Sequence, residues 1–352
     1  MMRMLKTDIT EIVSRLGEDA KQFAGKTVIL TGGRGFLGRY FMDVFATLNA
    51  EVLEAPVRLI VLDNLITAGN YGSEDPGFEH IEVIVHDVIQ PFSFDENVDY
   101  VIHAAGIASP FYYRAYPLET LGVAISGTQN MLDLAKKKGA RFTFFSSSEI
   151  YGDPDPEHIP IAESYRGNVS CQGPRACYDE SKRIGETLCY IYHTRDGIKT
   201  NTIRPFNVFG PGMQENDYRV LPNFASRIKA GLPLNLYGSG LQTRTFCYIT
   251  DAMVGFFLVI LKGVPGEAYN IGFPKPEVSM IDLVKTLQTI TKRELTYNQI
   301  EYPASYPTDE PMRRCPDIQK ARLQLDFNPI VRLDDGLRRF LDWSNTAFTG
   351  EP

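Results

Sequence analysis

The chain has 352 residues, 43% hydrophobic and 22% charged, an apolar content that supports a folded core and excludes a disordered or collagen-like chain. Lys and Arg number 36 against 43 Asp and Glu, a net charge of −7 that argues against nucleic acid as the main partner. Any anionic small ligand must therefore be met by a few local cations.

No stretch approaches the roughly 18 apolar residues of a spanning helix, so no membrane partner is expected. Residues 1–24 carry Asp8, Glu11, Glu18 and Asp19, which argues against a signal or transit peptide. Ile9, Ile12, Val13 and Leu16 fall at helical spacing and predict an amphipathic N-terminal extension. A strand is predicted over 27–30. Thr31-Gly32-Gly33-Arg34-Gly35-Phe36-Leu37-Gly38 follows it directly and opens a helix predicted over 36–48. The loop fits GxGxxG through Gly33, Gly35 and Gly38, and GxxGxxG through Gly32, Gly35 and Gly38. Such glycines permit a tight turn and close approach to a pyrophosphate, with helix N–H groups as donors. The next predicted strand, 58–63, ends in Asp63-Asn64-Leu65. A carboxylate there accepts hydrogen bonds from a ribose hydroxyl and repels a 2′-phosphate. No Arg or Lys follows at once, so NAD is favoured over NADP. Strands over 81–86 and 100–103 come next. Asp87, after the first of them, suits either an adenine contact or a strand-end cap.

A helix over 117–138, a strand over 142–146, a helix over 178–194 and a strand over 200–203 continue the alternation. The pattern predicts an α/β fold, a Rossmann-type doubly wound parallel sheet. Ser146-Ser147-Ser148-Glu149-Ile150-Tyr151-Gly152 lies at the carboxyl end of a predicted strand, where ligands of such sheets bind. Glu149 reads as a solvated loop acid in isolation and as a catalytic group in that position. Tyr178-Asp179-Glu180-Ser181-Lys182 has YxxxK spacing, which places the ammonium and the phenol on one helix face. A nearby cation favours the phenolate, so Tyr178 is expected to act as a base.

Beyond about residue 211 helices are predicted near 221–230, 252–261, 280–291 and 333–345, separated by short strands and Gly/Pro-rich turns. The organisation expected is an N-terminal helical extension over 1–24 and an NAD-binding domain over 25–210. A smaller α/β lobe, mainly for the substrate, is expected over 211–352, with some chain returning to the first domain. The five cysteines, Cys171, Cys177, Cys189, Cys247 and Cys315, contain no CxxC pair. They suggest reduced thiols in a cytoplasm, with no structural metal.

Together TGGRGFLG, Asp63-Asn64-Leu65, His103-Ala104-Ala105-Gly106, SSSEIYG and YDESK resemble the extended short-chain dehydrogenase/reductases that modify nucleotide sugars. Gly173-Pro174-Arg175-Ala176-Cys177-Tyr178-Asp179-Glu180, Tyr237-Gly238-Ser239-Gly240, Gln242-Thr243-Arg244 and Arg313-Arg314-Cys315-Pro316-Asp317 look like the UDP-glucuronate decarboxylase subgroup. The resemblance implies a UDP-sugar substrate and NAD recycled within each turnover. NAD would be held by Gly32, Gly35, Phe36, Leu37, Gly38, Asp63, Asn64, Asp87, Val88, Ala104, Ala105, Tyr178 and Lys182. It further implies C4 oxidation with Tyr178 as base, loss of CO2 from a 4-keto sugar and re-reduction. Ser147 would orient the sugar, Glu149 and Arg314 would act around the carboxylate, and Ser148 would support Glu149. Asn207, Arg219, Tyr237, Arg244 and Arg314 would bind substrate. Ser148 stands where 4,6-dehydratases carry an Asp, and 4-epimerases usually lack an acid at the Glu149 position; these two activities are the alternatives. The resemblance also implies a homodimer, paired through helices near 117–138 and 178–194.

Overall fold

The computed structural model describes residues 4–68, 77–217, 219–301 and 311–351, so residues 1–3 of the expected extension lie outside them. The described chain begins with α1 (Lys6–Leu16), and then alternates β1 (Thr27–Thr31), α2 (Phe36–Glu51), β2 (Arg58–Asp63), β3 (Ile81–Val85) and β4 (Tyr100–His103). Short helices α3 (Pro110–Ala115) and α4 (Pro117–Gly122) lead into α5 (Thr128–Lys138), β5 (Arg141–Phe145), α6 (Ala176–Asp196) and β6 (Thr200–Pro205). Next come β7 (Val208–Phe209), α7 (Val220–Ala230), β8 (Leu234–Tyr237), β9 (Thr243–Arg244), β10 (Cys247–Tyr248), α8 (Ile249–Lys262) and β11 (Ala268–Ile271). The chain closes with β12 (Val278–Ser279), α9 (Met280–Thr291), β13 (Tyr297–Ile300), β14 (Arg313–Arg314), α10 (Gln319–Leu325) and α11 (Leu333–Ala347).

Seven strands form one sheet in the order β11-β6-β5-β4-β1-β2-β3, with every pairing parallel. Strands covered on both faces read as unbroken apolar runs, as in Val28–Leu30 and Leu59–Leu62, all of them buried. The strand order reverses between β1 and β4, and there a crevice opens at the carboxyl edge. The glycine loop leaves β1 into this crevice, and the serine-rich turn leaves β5 on the same edge.

Two expectations are corrected. The single helix predicted over 117–138 is α4 and α5 joined by a π-helical turn, Val123–Gly127. That turn passes close to the loop after β3: a side chain at Gly127 would meet Val88 at 2.8 Å. The helix predicted near 252–261, grouped by sequence with the small lobe, belongs to the central sheet. It is α8, buried on nearly every side; it packs on β5, β6 and β11, while β11 pairs with β6. Small sheets β12-β9-β14, β13-β8 and β10-β7 carry the rest of the C-terminal chain. The N-terminal extension is part of the main core. Ile9, Ile12, Val13 and Leu16 are buried, and α1 packs against α8 and α2.

Candidate active site

The cofactor edge is built from the glycine loop upward. Gly32 has φ 73°, and a side chain there would strike the Ala105 backbone at 2.8 Å. Gly38 lies against the Gly32 carbonyl, which a Cβ would meet at 2.3 Å. At Gly35 the nearest atom to an added Cβ is 3.4 Å away, so this glycine leaves room rather than filling a contact. No side chain caps the α2 N-terminus, so the room lies beside main-chain donors. Asp63 accepts the Arg34 and Leu65 N–H groups, each at 2.8 Å, and burial raises its pKa above the ordinary carboxylate value. A carboxylate has lone pairs beyond those two bonds, so it can still receive a ribose hydroxyl. Asn64 donates to Asp87 at 3.1 Å, and Asp87 also accepts the Ile89 N–H at 3.1 Å. These bonds fix the Asp87 carboxylate at the carboxyl edge of the sheet. Asn130 donates to the Val88 carbonyl at 2.9 Å. Sequence reasoning missed a brace under Ala104–Gly106: the Ala105 N–H donates to Thr31 Oγ1 at 3.0 Å, and that oxygen is 2.7 Å from His103 Nδ1. Burial pushes His103 down to about 3, so the ring is neutral.

Lys182 and Tyr178 share a face of α6. The Lys182 ammonium donates to the Phe145 carbonyl at 2.9 Å and lies 5.7 Å from the centre of the Tyr178 ring. A side chain at Gly106 would meet this ammonium at 2.9 Å, so the brace and the lysine meet behind the crevice. Burial drives the two groups in opposite senses: Lys182 falls to about 8, whereas Tyr178 rises to about 12. A hydrogen bond with Ser147 draws Tyr178 back down, but burial prevails, so the expected cation-lowered phenol is not what the chain alone produces. The Tyr178 ring stacks on Tyr113, with centroids 5.2 Å apart and planes at 14°.

Glu149 lies in a 3-10 turn, Ser148–Tyr151, whose N-cap Ser147 accepts the Glu149 N–H at 3.2 Å. Ser148 is buried in the same turn. The strand β14 brings Arg314 to Glu149 from 165 residues away, and Arg314 forks onto both carboxylate oxygens, with Nη2 to Oε2 at 2.7 Å. Arg175, at the start of α6, also donates to Oε2. Burial alone would push Glu149 up; Arg314 and then Arg175 overcome it and hold the carboxyl down at about 2. Asp179 is also buried, and burial together with Glu149 pushes it up.

Glu149, Arg175, Tyr178, Asn207, Arg219, Tyr237, Arg244 and Arg314 are among the residues that line one open cleft. Asn207 has φ 41° and donates to the Thr245 carbonyl at 2.8 Å. Arg219 pairs with Asp217, Nε to Oδ2 at 2.8 Å. Arg244 sits on β9 directly beside Arg314 on β14 and donates to the Thr243 carbonyl at 2.8 Å. Tyr237 ends β8. Every substrate residue expected from sequence is therefore at this cleft, and the glycine loop is not. Ala105, Gly106 and Lys182 stand between the two regions. Sequence reasoning quoted Arg175 but gave it no task, because its partner Glu149 lies 26 residues earlier. Such a site can place an anionic sugar nucleotide against arginines and a hydroxyl carbon against Tyr178.

Residues 28–272 match the model of the NAD dependent epimerase/dehydratase family. The chain is 39% identical over 319 residues to UDP-glucuronic acid decarboxylase 1 of Xenopus tropicalis, covering 90% of this chain and 72% of the relative. It is 38% identical over 315 residues to UDP-glucuronic acid decarboxylase 6 of Arabidopsis thaliana, covering 88% and 86%. Among solved structures it is similar to a dTDP-glucose 4,6-dehydratase of Streptomyces venezuelae with NAD bound, at 25% identity and TM-score 0.77, covering 91% and 97%. A UDP-glucuronic acid 4-epimerase of Bacillus cereus, solved with UDP-glucuronic acid and NAD, shares the fold at 24% identity and TM-score 0.75, covering 92% and 100%.

Proposed function

The chain belongs to the NAD dependent epimerase/dehydratase family, and from that premise we propose that it decarboxylates UDP-glucuronate to UDP-xylose with NAD recycled in each turnover. The observation that carries the reading is the part-buried Glu149–Arg314 fork beside Tyr178. Relatives named as UDP-glucuronic acid decarboxylases, aligned over about nine-tenths of the chain, support it.

The residues fit NAD. Gly35 leaves space next to uncapped helix donors, and Asp63 retains free acceptor capacity for a ribose. Gly32, Gly35, Phe36, Leu37 and Gly38 would hold the diphosphate. Asp63 and Asn64 would hold the ribose, Asp87 and Val88 the adenine, and Ala104, Ala105, Tyr178 and Lys182 the nicotinamide end. The chemistry that bound NAD supplies is reversible hydride transfer at C4 of the sugar. Tyr178 takes the C4 hydroxyl proton, with Ser147 holding the same oxygen. Oxidation at C4 makes the sugar a β-keto acid, so the C5–carboxylate bond breaks with its electron pair moving into the carbonyl, and CO2 leaves. Ser147 and Tyr178 hold the resulting enolate oxygen, C5 takes a proton from solvent water, and C4 is reduced again as Tyr178 returns its proton to the C4 oxygen. Ser148 stands where 4,6-dehydratases carry the Asp that protonates the departing C6 hydroxyl, which weighs against dehydration. Arg219, Arg244 and Asn207 would meet the diphosphate and uridine ribose, and Tyr237 the uracil. Residues 25–210 would serve mainly the cofactor, and 211–352 mainly the sugar nucleotide, with 249–271 returning to the central sheet.

The test is incubation with UDP-glucuronate and NAD, followed by assay of CO2 and nucleotide sugar. UDP-xylose with CO2 is expected; UDP-galacturonate without CO2 would replace this reading with 4-epimerisation. A cytoplasmic homodimer is part of the same proposal. Five free cysteines and the exposed side chains of Leu118, Ile125 and Tyr190 on the expected pairing helices support it.

A further inference from the structure

Glu149 is served by two guanidiniums, and they are not equivalent. Arg314 occupies both carboxylate oxygens through a fork, Nη1 to Oε1 and Nη2 to Oε2. Arg175 donates to Oε2, an oxygen Arg314 already holds. Removing Arg175 would thus leave Glu149 paired. Arg175 also has a second acid: its Nε is 3.6 Å from Oδ2 of Asp179, one helical turn along α6. That distance is longer than a good hydrogen bond, and Asp179 Oδ1 is buried with no hydrogen-bond partner among the described residues. Asp179 therefore has capacity to tighten on Arg175. Arg175 and Tyr178 are three residues apart on one helix face, and both line the cleft. Arg314 and Arg175 both donate to Glu149, and Arg244 lies beside Arg314, so three guanidiniums gather near Tyr178 with the carboxylates of Glu149 and Asp179.

We propose that Arg175 determines specificity by leaving Glu149 for the carboxylate of the acidic sugar, while Asp179 is the positioning residue that keeps its guanidinium in the cleft. The exchange conserves ion pairing: one Arg–carboxylate bond opens and another closes, and Glu149 stays on Arg314. A neutral hexose offers no such partner, so Arg175 stays on Glu149 and that sugar gains nothing from it. The inference rests on the decarboxylase reading, because it takes the sugar acid as the ligand.

The experiment measures binding of UDP, UDP-glucose and UDP-glucuronate to the NAD-loaded protein by calorimetry, together with CO2 release. Arg175→Gln is expected to weaken UDP-glucuronate about 10- to 100-fold, the worth of a charge-assisted hydrogen bond, and to move UDP and UDP-glucose by less than about two-fold. Arg175→Lys keeps the charge without the fork and is expected to restore part of the loss. Asp179→Asn is expected to raise KM for UDP-glucuronate more than it lowers kcat, with UDP-glucose affinity unchanged. Should the glutamine variant fail to fold, the lysine variant carries the test through the same ratio of affinities. Equal weakening of both sugars, or an undiminished preference for UDP-glucuronate in a variant that folds, overturns the role of Arg175 while leaving the decarboxylase reading intact. A wild-type protein that binds UDP-glucuronate no better than UDP-glucose and releases no CO2 overturns both.

Discussion

Tyr178 and Lys182 sit one helical turn apart, and burial acts on them in opposite senses, raising the phenol to about 12 and lowering the ammonium to about 8. Tyr178→Phe removes the hydroxyl proposed to accept the proton and keeps the ring that stacks on Tyr113. Turnover should fall by about 100-fold or more while NAD affinity, read by fluorescence titration, changes little. Unchanged turnover would remove Tyr178 from the reaction. Glu149 gives a stability prediction with a defined sign. Its folded pKa is about 2, below the ordinary 4.5, so its contribution is complete above roughly pH 4.5 and is lost as pH falls toward 2. Glu149→Gln leaves the buried Arg314 without its anion, so denaturant unfolding at pH 7 should show a loss of about 3 kcal/mol. The variant should also be less sensitive to acid than the wild type over that window. An equally steep acid loss in the variant would assign the effect to other carboxyls. Tyr178, Lys182 and Glu149 were legible in the sequence because each sits in a local motif. Arg175 was not, because its meaning comes from a carboxylate 26 residues earlier and an arginine on another strand.

At the scale of elements, the alternation of apolar strands and helices was readable because burial on both faces of the sheet writes itself as unbroken apolar runs. The two-residue strands β9 and β14, which set Arg244 beside Arg314, carry no such periodicity. The extension α1 was legible as a helix, but its docking was not. Asp8 accepts the Tyr248 hydroxyl at 2.7 Å, Arg339 reaches both Asp8 and Glu11, and Arg15 pairs with Asp251 at 2.7 Å. These partners lie more than 200 residues away. Burial raises Asp8 to about 6 despite Tyr248 and Arg339. A carboxyl raised on folding favours the folded state below its unfolded value, near 4, and that advantage fades as pH rises through 6. Asp8→Asn should therefore flatten the pH dependence of stability between pH 4 and 6, as followed by thermal melts; an unchanged slope would clear Asp8 of it. Gly38 makes a second element-level case. Gly38→Ala would press a methyl onto the Gly32 carbonyl and the Gly33 backbone, neither of which has a flexible end to move. NAD affinity should drop by about ten-fold or more while UDP affinity holds. Equal loss of both would mean that the whole fold, not the loop, had yielded.

For the molecule as a whole, the net charge of −7 and the cluster of arginines are compatible because the arginines are gathered in one cleft rather than spread over the surface. Elsewhere the surface carries a few exposed large apolar side chains. Leu118 on α4 is 76% exposed and Tyr190 on α6 is 65% exposed, with Ile125 and Ile191 partly exposed beside them. α4, the π-helical turn and α6 pack on one another, so these side chains belong to adjoining helices. Scattered apolar residues are ordinary on a surface, and this group lies on the helices through which the proposed homodimer would pair. A two-fold axis through that face would set each protomer's α4–α6 pair against its copy, giving a four-helix contact. The sedimentation equilibrium of the wild type should accordingly fit a dimer. Leu118→Glu with Tyr190→Glu places like charges opposite each other across the axis and should yield a monomer. Its UDP affinity should stay near that of the wild type, because neither residue lines the cleft. Sedimentation as a monomer by the wild type, or a dimer undisturbed by both glutamates, would move the contact face elsewhere on the molecule.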